Sequence, residues 1–215
     1  MSSRRARQQS LPFHGGRREG AGRKKDRRRN LVTHAPRAEV TESTPVHVTL
    51  RVRPEVWNLR SQRSFFAIEK ALLAAREAPD VRVVHYSVQG NHVHMVVEAT
   101  DRVALARRVK GFAIRVARAI NHVMKRRGSV FADRYHTRVI ASPRDMRNVL
   151  AYVLKNRRHH VGSRAAAIDR YSSADRFDGW DAPVPAPTGR LLVDRPASWL
   201  LRTAWRRYGP IPLVS

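Results

Sequence analysis

Val88-Gln-Gly-Asn-His-Val-His-Met-Val-Val-Glu98 decides the fold of this chain. Gly90 marks a tight turn, and the residues after it read as a short strand. Side chains on a strand alternate between its faces. His92 and His94 therefore project together, while Val93, Met95 and Val97 project the other way. Two imidazoles one repeat apart can share a cation, each through one ring nitrogen. The same pattern also suits a half-buried strand with polar residues on its wetter side. A helix further along tips the balance toward the first reading.

Working outward, Val81 to Gln89 is a valine-rich strand that forms a hairpin with the histidine strand. Upstream, Pro45 to Arg53 alternates as a first strand and stops at Pro54. Phe65, Ile68 and Leu72 have helical spacing, predicting a helix from Phe65 to Glu77 that ends before Pro79. Downstream, Thr100 is expected to cap a long helix reaching about Arg127 and stopped by Gly128. Leu105, Val109, Phe112, Val116, Ile120 and Val123 form its core stripe. Arg108, Arg115, Arg118, His122 and Lys125 lie opposite, either as a solvated face or as a phosphate-facing ridge. Phe131 to Ala141 reads as a fourth strand, and Ser142-Pro143 opens a last helix.

Strand, helix, strand, strand, helix, strand, helix is the order of an α+β, ferredoxin-like split βαβ fold: an antiparallel four-stranded sheet with packed helices. Its first and third strands are central, so His92 and His94 are expected mid-sheet. RNA-recognition modules share the topology. They would carry aromatics on the central strands, where this chain has histidines and valines.

In the last helix, expected to run to His160, Met146, Val149, Leu150 and Val153 form the apolar side. Tyr152 and Asn156 are four apart and hence neighbours, sharing a polar stripe with Asn148, Lys155 and His159. A purely structural tyrosine would more often join the apolar group, although an amphipathic residue at the helix rim fits too.

The chain has 43 Lys and Arg against 17 Asp and Glu, a formal charge of +26. Self-repulsion of that size disfavours a compact state unless a polyanion neutralises it, and nucleic acid is the natural one. Without a long apolar run or a signal-peptide pattern, no membrane association is expected. The absence of cysteine removes disulfides and thiolate metal sites and suits a reducing cytoplasm. Residues 1–45 are expected to be a disordered basic arm, because sparse apolar residues cannot offset the ordering entropy. Residues 46–162 form the main domain and 163–215 a C-terminal extension. There, a short helix carrying Trp199 and Trp205 either docks on the core or stacks on unpaired bases.

Gly90 to Glu98, Phe131-Ala-Asp-Arg-Tyr-His136 and Ala151-Tyr-Val-Leu-Lys-Asn156 together resemble the single-tyrosine HUH transposases of bacteria. The REP-associated tyrosine transposases and their insertion-sequence 200-like relatives are the most similar in look. The resemblance covers about Val46 to His160. It implies that His92 and His94 bind a divalent metal, Mg²⁺ or Mn²⁺, with Asn156 as third ligand. Tyr152 matches the nucleophile that forms a 5′-phosphotyrosine with single-stranded DNA and frees a 3′-hydroxyl. It also implies hairpin DNA as partner, a homodimer as one arrangement, no nucleotide cofactor, and a bacterial, nucleoid-associated location. Two positions depart from the pattern: Arg157 stands where proline is common, and Phe131 where tryptophan is.

A catalytically silent DNA-binding protein of the same descent and a non-enzymatic RNA-binding module remain as alternatives. Lys155 or the metal is expected to help hold the phenolate, since a tyrosine hydroxyl ordinarily titrates near 10. Two imidazoles and an amide carry no negative charge, so metal binding should be weak until a DNA phosphate completes the set. Tyr86 and Tyr135 are rival nucleophiles, and Glu98 is read as a carboxylate at the rim of the histidine face.

Overall fold

The alternation of Val46, Val48 and Leu50 with His47, Thr49 and Arg51 produces the first strand, β1 (Val46–Arg51). It sits inside a four-stranded antiparallel sheet with β2 (Val81–Val88), β3 (His92–Ala99) and β4 (His136–Val139), in the order β2-β3-β1-β4. The histidine strand and β1 are therefore central, as the α+β, ferredoxin-like reading requires. This computed structural model describes residues 39–77, 79–162, 166–187 and 189–213, without the side chains of 159–161. Most of the expected basic arm lies outside the described residues. Of its last seven, Val40 is buried and Thr41 bridges to Asp101.

The sheet has two covered faces. Val46, Val48 and Leu50 of β1 and Val93, Met95 and Val97 of β3 pack against α1 (Gln62–Arg76) and α2 (Arg102–Val123). The opposite face carries Val84 and Val96. They pack against α3 (Pro143–Leu154) and the C-terminal extension, through Met146, Val149, Leu150, Val153 and Trp205. Val84 follows Val83 onto the opposite, second face, and a bulge between Val83 and His85 shifts the alternation so that Tyr86 returns to the first.

Several expected boundaries move. Asp101, not Thr100, caps α2. Its carboxylate accepts from the backbone N–H groups of Val103 at 2.6 Å and Ala104 at 2.8 Å, satisfying two donors where a hydroxyl satisfies one. The same helix ends at Val123, because Lys125 (φ 50°) takes the left-handed conformation before Gly128 is reached. The fourth strand keeps only His136–Val139 of the expected Phe131–Ala141, with Phe131 itself held by an isolated bridge to Val52. The last helix breaks at Lys155 (φ −99°, ψ 7°), and Asn156 starts a new short helix, α4 (Asn156–Val161).

The extension docks on the core. Trp205 is fully buried, and its indole N–H donates to the carbonyl of Leu201. Three backbone N–H···O bonds, Val88 to Tyr171, Ser173 to Tyr86 and Asp194 to Val83, cover the outer edge of β2. An edge strand left open would be a template for pairing with other chains. Arg60 clamps Asp169 through two N–H groups at 2.7 Å, inside the protein.

Candidate functional site

Local pattern and sheet register together build the site. β3 presents His92, His94, Val96 and Glu98 to the α3 face. The antiparallel register sets Thr49 opposite His94 and His47 opposite Val96. Ring centroids lie 4.6 Å apart for His92 and His94, and 5.1 Å for His47 and His94. Tyr152 reaches in from α3, with its ring 5.2 Å from His94 and 5.9 Å from His47, edge-on to both. The sheet buries His94 to 4% exposure, whereas Tyr152 keeps 43% of its surface accessible. One chain thus holds both histidines beside its own tyrosine.

The ring nitrogens are differently engaged. His92 Nδ1 lies 2.7 Å from Asn91 Oδ1. That oxygen accepts, so His92 Nδ1 donates to it. His94 Nδ1 is shared by His47 Nε2 at 3.0 Å and Thr49 Oγ1 at 3.1 Å. His47 was not anticipated from sequence. Alternation along β1 puts it and Thr49 on the polar side, but which β3 residue they meet depends on register. Burial, with Arg138 and His136 nearby, lowers the pKa of His47 to about 4, so it is neutral at physiological pH.

Asn156 lies just past the helix break, one turn beyond Tyr152. It is 1% exposed, and neither its Oδ1 nor its Nδ2 has a hydrogen-bond partner among the described residues. A buried amide left this way is unusual, and its oxygen is the hard donor that divalent cations accept. The rings of His92, His94 and Tyr152 are gathered together, and Asn156 makes no hydrogen bond to any of them. Among the described residues no three His, Cys, Asp or Glu side chains meet as a metal-binding group. Two imidazoles with an amide are a fitting, uncharged set for a cation that also binds a phosphate.

The other expected residues separate. Glu98 is not at a rim: it is 3% exposed and binds the extension. Tyr86 points into the α1–α2 layer, where burial raises its hydroxyl pKa. Tyr135 packs against that same layer. Both rivals therefore face away from the histidines. Arg115, Arg118 and Lys125 are exposed, but α2 lies on the sheet face away from His94. Arg108 is held by Asp80 at 3.0 Å, alongside Arg107. Lys155, three residues after Tyr152, is half-buried, and burial, with Arg158 close by, lowers its pKa. A separate cavity of about 830 Å³ opens between β2 and the extension. Three of its arginines are occupied in holding the extension: Arg76 on Asp194, Arg206 on Asp178, and Arg176 on the carbonyls of Gly189 and Arg190.

No helix among the described residues is long and apolar enough to cross a membrane. No curated protein sequence matches the chain. A solved REP-associated tyrosine transposase bound to a REP hairpin superposes with a TM-score of 0.56 at 14% identity, over 78% of this chain and 97% of its own. That likeness is one of fold. A putative transposase from Deinococcus radiodurans R1 aligns at 13% identity and a TM-score of 0.39, over 63% and 98% of the two chains. The family described as "Transposase IS200 like" matches residues 43–156, from just before β1 to the buried amide. With more than half of its residues inside that match, the chain belongs to the IS200-like transposase family.

Proposed function

We propose that the protein cuts and rejoins single-stranded DNA through a 5′-phosphotyrosine at Tyr152. His92, His94 and Asn156 are the ligands of a divalent cation, Mg²⁺ or Mn²⁺. The observation that carries this is the tyrosine ring standing 5.2 Å from His94 within one chain, on the accessible side of a buried histidine. The Tyr152 hydroxyl gives up its proton and attacks phosphorus. The bond from phosphorus to the 3′ oxygen breaks, and that oxygen leaves as a 3′-hydroxyl once protonated. Because the phosphoester is conserved, the reverse attack rejoins a strand without an external energy source. A phenol is a poor nucleophile at neutral pH, and Lys155, three residues on in the chain, is the cationic side chain proposed to help hold the phenolate. When bound, the cation polarises the scissile phosphate and offsets the charge that grows on it.

Hairpin DNA is the proposed partner. The structurally similar transposase holds a REP hairpin, and a chain of charge +26 has the electrostatics for it. Exposed Arg115, Arg118 and Lys125 suit a flanking phosphate run on the far side of the sheet, whereas Lys155 suits the cut site. Arg108 is the weakest of the proposed contacts because Asp80 already holds it. Such a partner fits a location at the bacterial nucleoid. An RNA-recognition reading is disfavoured, since those modules read bases on an open sheet face. Here α1 and α2 cover one face, and α3 with the extension covers the other.

The test is a labelled single-stranded hairpin with Mn²⁺, followed by a denaturing gel. A covalent species that is present with the natural protein and absent with Tyr152→Phe is expected. Binding without any covalent species would leave a catalytically silent DNA-binding protein.

A further inference from the structure

We infer that His47 is a positioning residue for the reaction: its Nε2 accepts the Nδ1 proton of His94 and so fixes the tautomer in which His94 Nε2 carries the lone pair. The inference rests on the metal-ligand reading of His94 and extends it to a residue on another strand. The geometry is specific. His47 Nε2 stands 3.0 Å from His94 Nδ1, with the two rings stacked at 29°. The antiparallel pairing of β1 and β3 brings the two rings within reach, because Thr49 opposes His94 and His47 lies one repeat further along the same face.

A neutral imidazole has one N–H and one lone pair, and the partner at one nitrogen decides what the other can do. If His94 Nδ1 held the lone pair, Nε2 would be protonated and closed to a cation. Metal-binding histidines generally donate their second N–H to an acceptor that sets ring orientation and basicity. That acceptor is often a carboxylate. The nearest carboxylate along β3, Glu98, is taken by the backbone of the extension, and an imidazole on β1 fills the place instead. The Thr49 hydroxyl, 3.1 Å away, accepts or donates equally well, whereas a neutral His47 with its own proton on Nδ1 can only accept at Nε2. His47 also borders Tyr152, ring edge to face at 5.9 Å.

The test is long-range ¹H–¹⁵N correlation spectroscopy of the full-length, metal-free protein at pH 7.5, with His94 assigned by its loss in His94→Asn. The natural protein is expected to show His94 as the Nδ1–H tautomer. His47→Leu, which keeps bulk and removes the acceptor, should shift it to Nε2–H or a mixture. It should also weaken Mn²⁺ binding, read by electron paramagnetic resonance, by about 10- to 100-fold. His47→Gln offers a carbonyl acceptor and should restore both readouts to within about threefold. Thr49→Val should leave the tautomer unchanged. An Nε2–H tautomer in the natural protein overturns the inference without needing any variant to fold. So does an unchanged tautomer in His47→Leu, or a shift produced by Thr49→Val alone. Failure of all proteins to bind Mn²⁺ even with hairpin DNA present would strike the metal reading, while the tautomer result still decides what His47 does.

Discussion

Glu98 on β3 accepts hydrogen bonds from the backbone N–H groups of Ala197 and Ser198, both at 2.8 Å, and is almost completely buried. One carboxylate, four residues from His94 on the same strand face, thus anchors the segment that leads into α5 (Trp199–Arg202). The extension closes over the strand that carries the histidines, and Ser198 completes the joint by capping α5 through Leu201 N–H.

Glu98→Ala leaves two buried N–H groups without an acceptor. Charge-assisted bonds of this kind contribute about 1.5–3 kcal/mol each, and stability should fall by about 3 kcal/mol in urea titrations. Limited proteolysis should then cut first in the extension. A variant as stable and as resistant as the natural protein would mean that the extension holds without this anchor.

Gly179 lies where no side chain fits. A Cβ there would stand 2.2 Å from Trp205 Cη2 and 2.5 Å from Phe177 Cζ, and the two rings stack at 5.4 Å. Gly179→Ala must push apart two packed aromatics, at a cost of about 1–3 kcal/mol. Differential scanning calorimetry should record a lower Tm and near-ultraviolet circular dichroism a changed Trp205 signal.

His85 makes stability depend on pH. Burial lowers its pKa from 6.5 to about 4, and its Nδ1 lies 3.1 Å from Ser173 Oγ. Between those values the unfolded chain binds the extra proton and the folded chain does not. The stabilisation is therefore complete above about pH 6.5 and disappears as pH falls toward 4, amounting to roughly 3 kcal/mol. His47 acts in the same direction. Unfolding free energies measured from pH 7 to 4.5 should fall steeply, and His85→Phe should flatten the curve. An equal slope in that variant would assign the pH dependence elsewhere.

Because the tyrosine and both histidines meet in one chain, Tyr152→Phe and His94→Ala proteins should not rescue each other. Mixed in equal amounts with labelled hairpin and Mn²⁺, they should yield no covalent species. A product from the mixture would require exchange of the tyrosine between subunits.

Removing positive charge should separate grip from chemistry. Arg115→Ala with Arg118→Ala should weaken hairpin binding and lower the salt dependence of affinity by about one contact each, leaving the yield of covalent species at saturating DNA unchanged. Lys155→Ala should reduce that yield instead. Filter binding across a salt series, beside the denaturing gel, reads both.

Local chemistry in the sequence was enough to place the histidines on one face of β3, the apolar stripes on α2 and α3 and the strand order, whereas Tyr152 was singled out by the family resemblance. Period-two and period-3.6 patterns record which side of an element faces the core. It did not reveal His47 beside His94, 47 positions away in the chain, because only the β1–β3 register makes them neighbours. Nor did it reveal that Glu98 is buried against Ala197 and Ser198, or that the helix breaks before Asn156 and leaves its amide inside. Those outcomes depend on partners distant in sequence: strand register, the docking of the extension and the space left beside α3 are settled when the elements pack. Alternation tells a residue which way to face, and tertiary structure decides what it finds there.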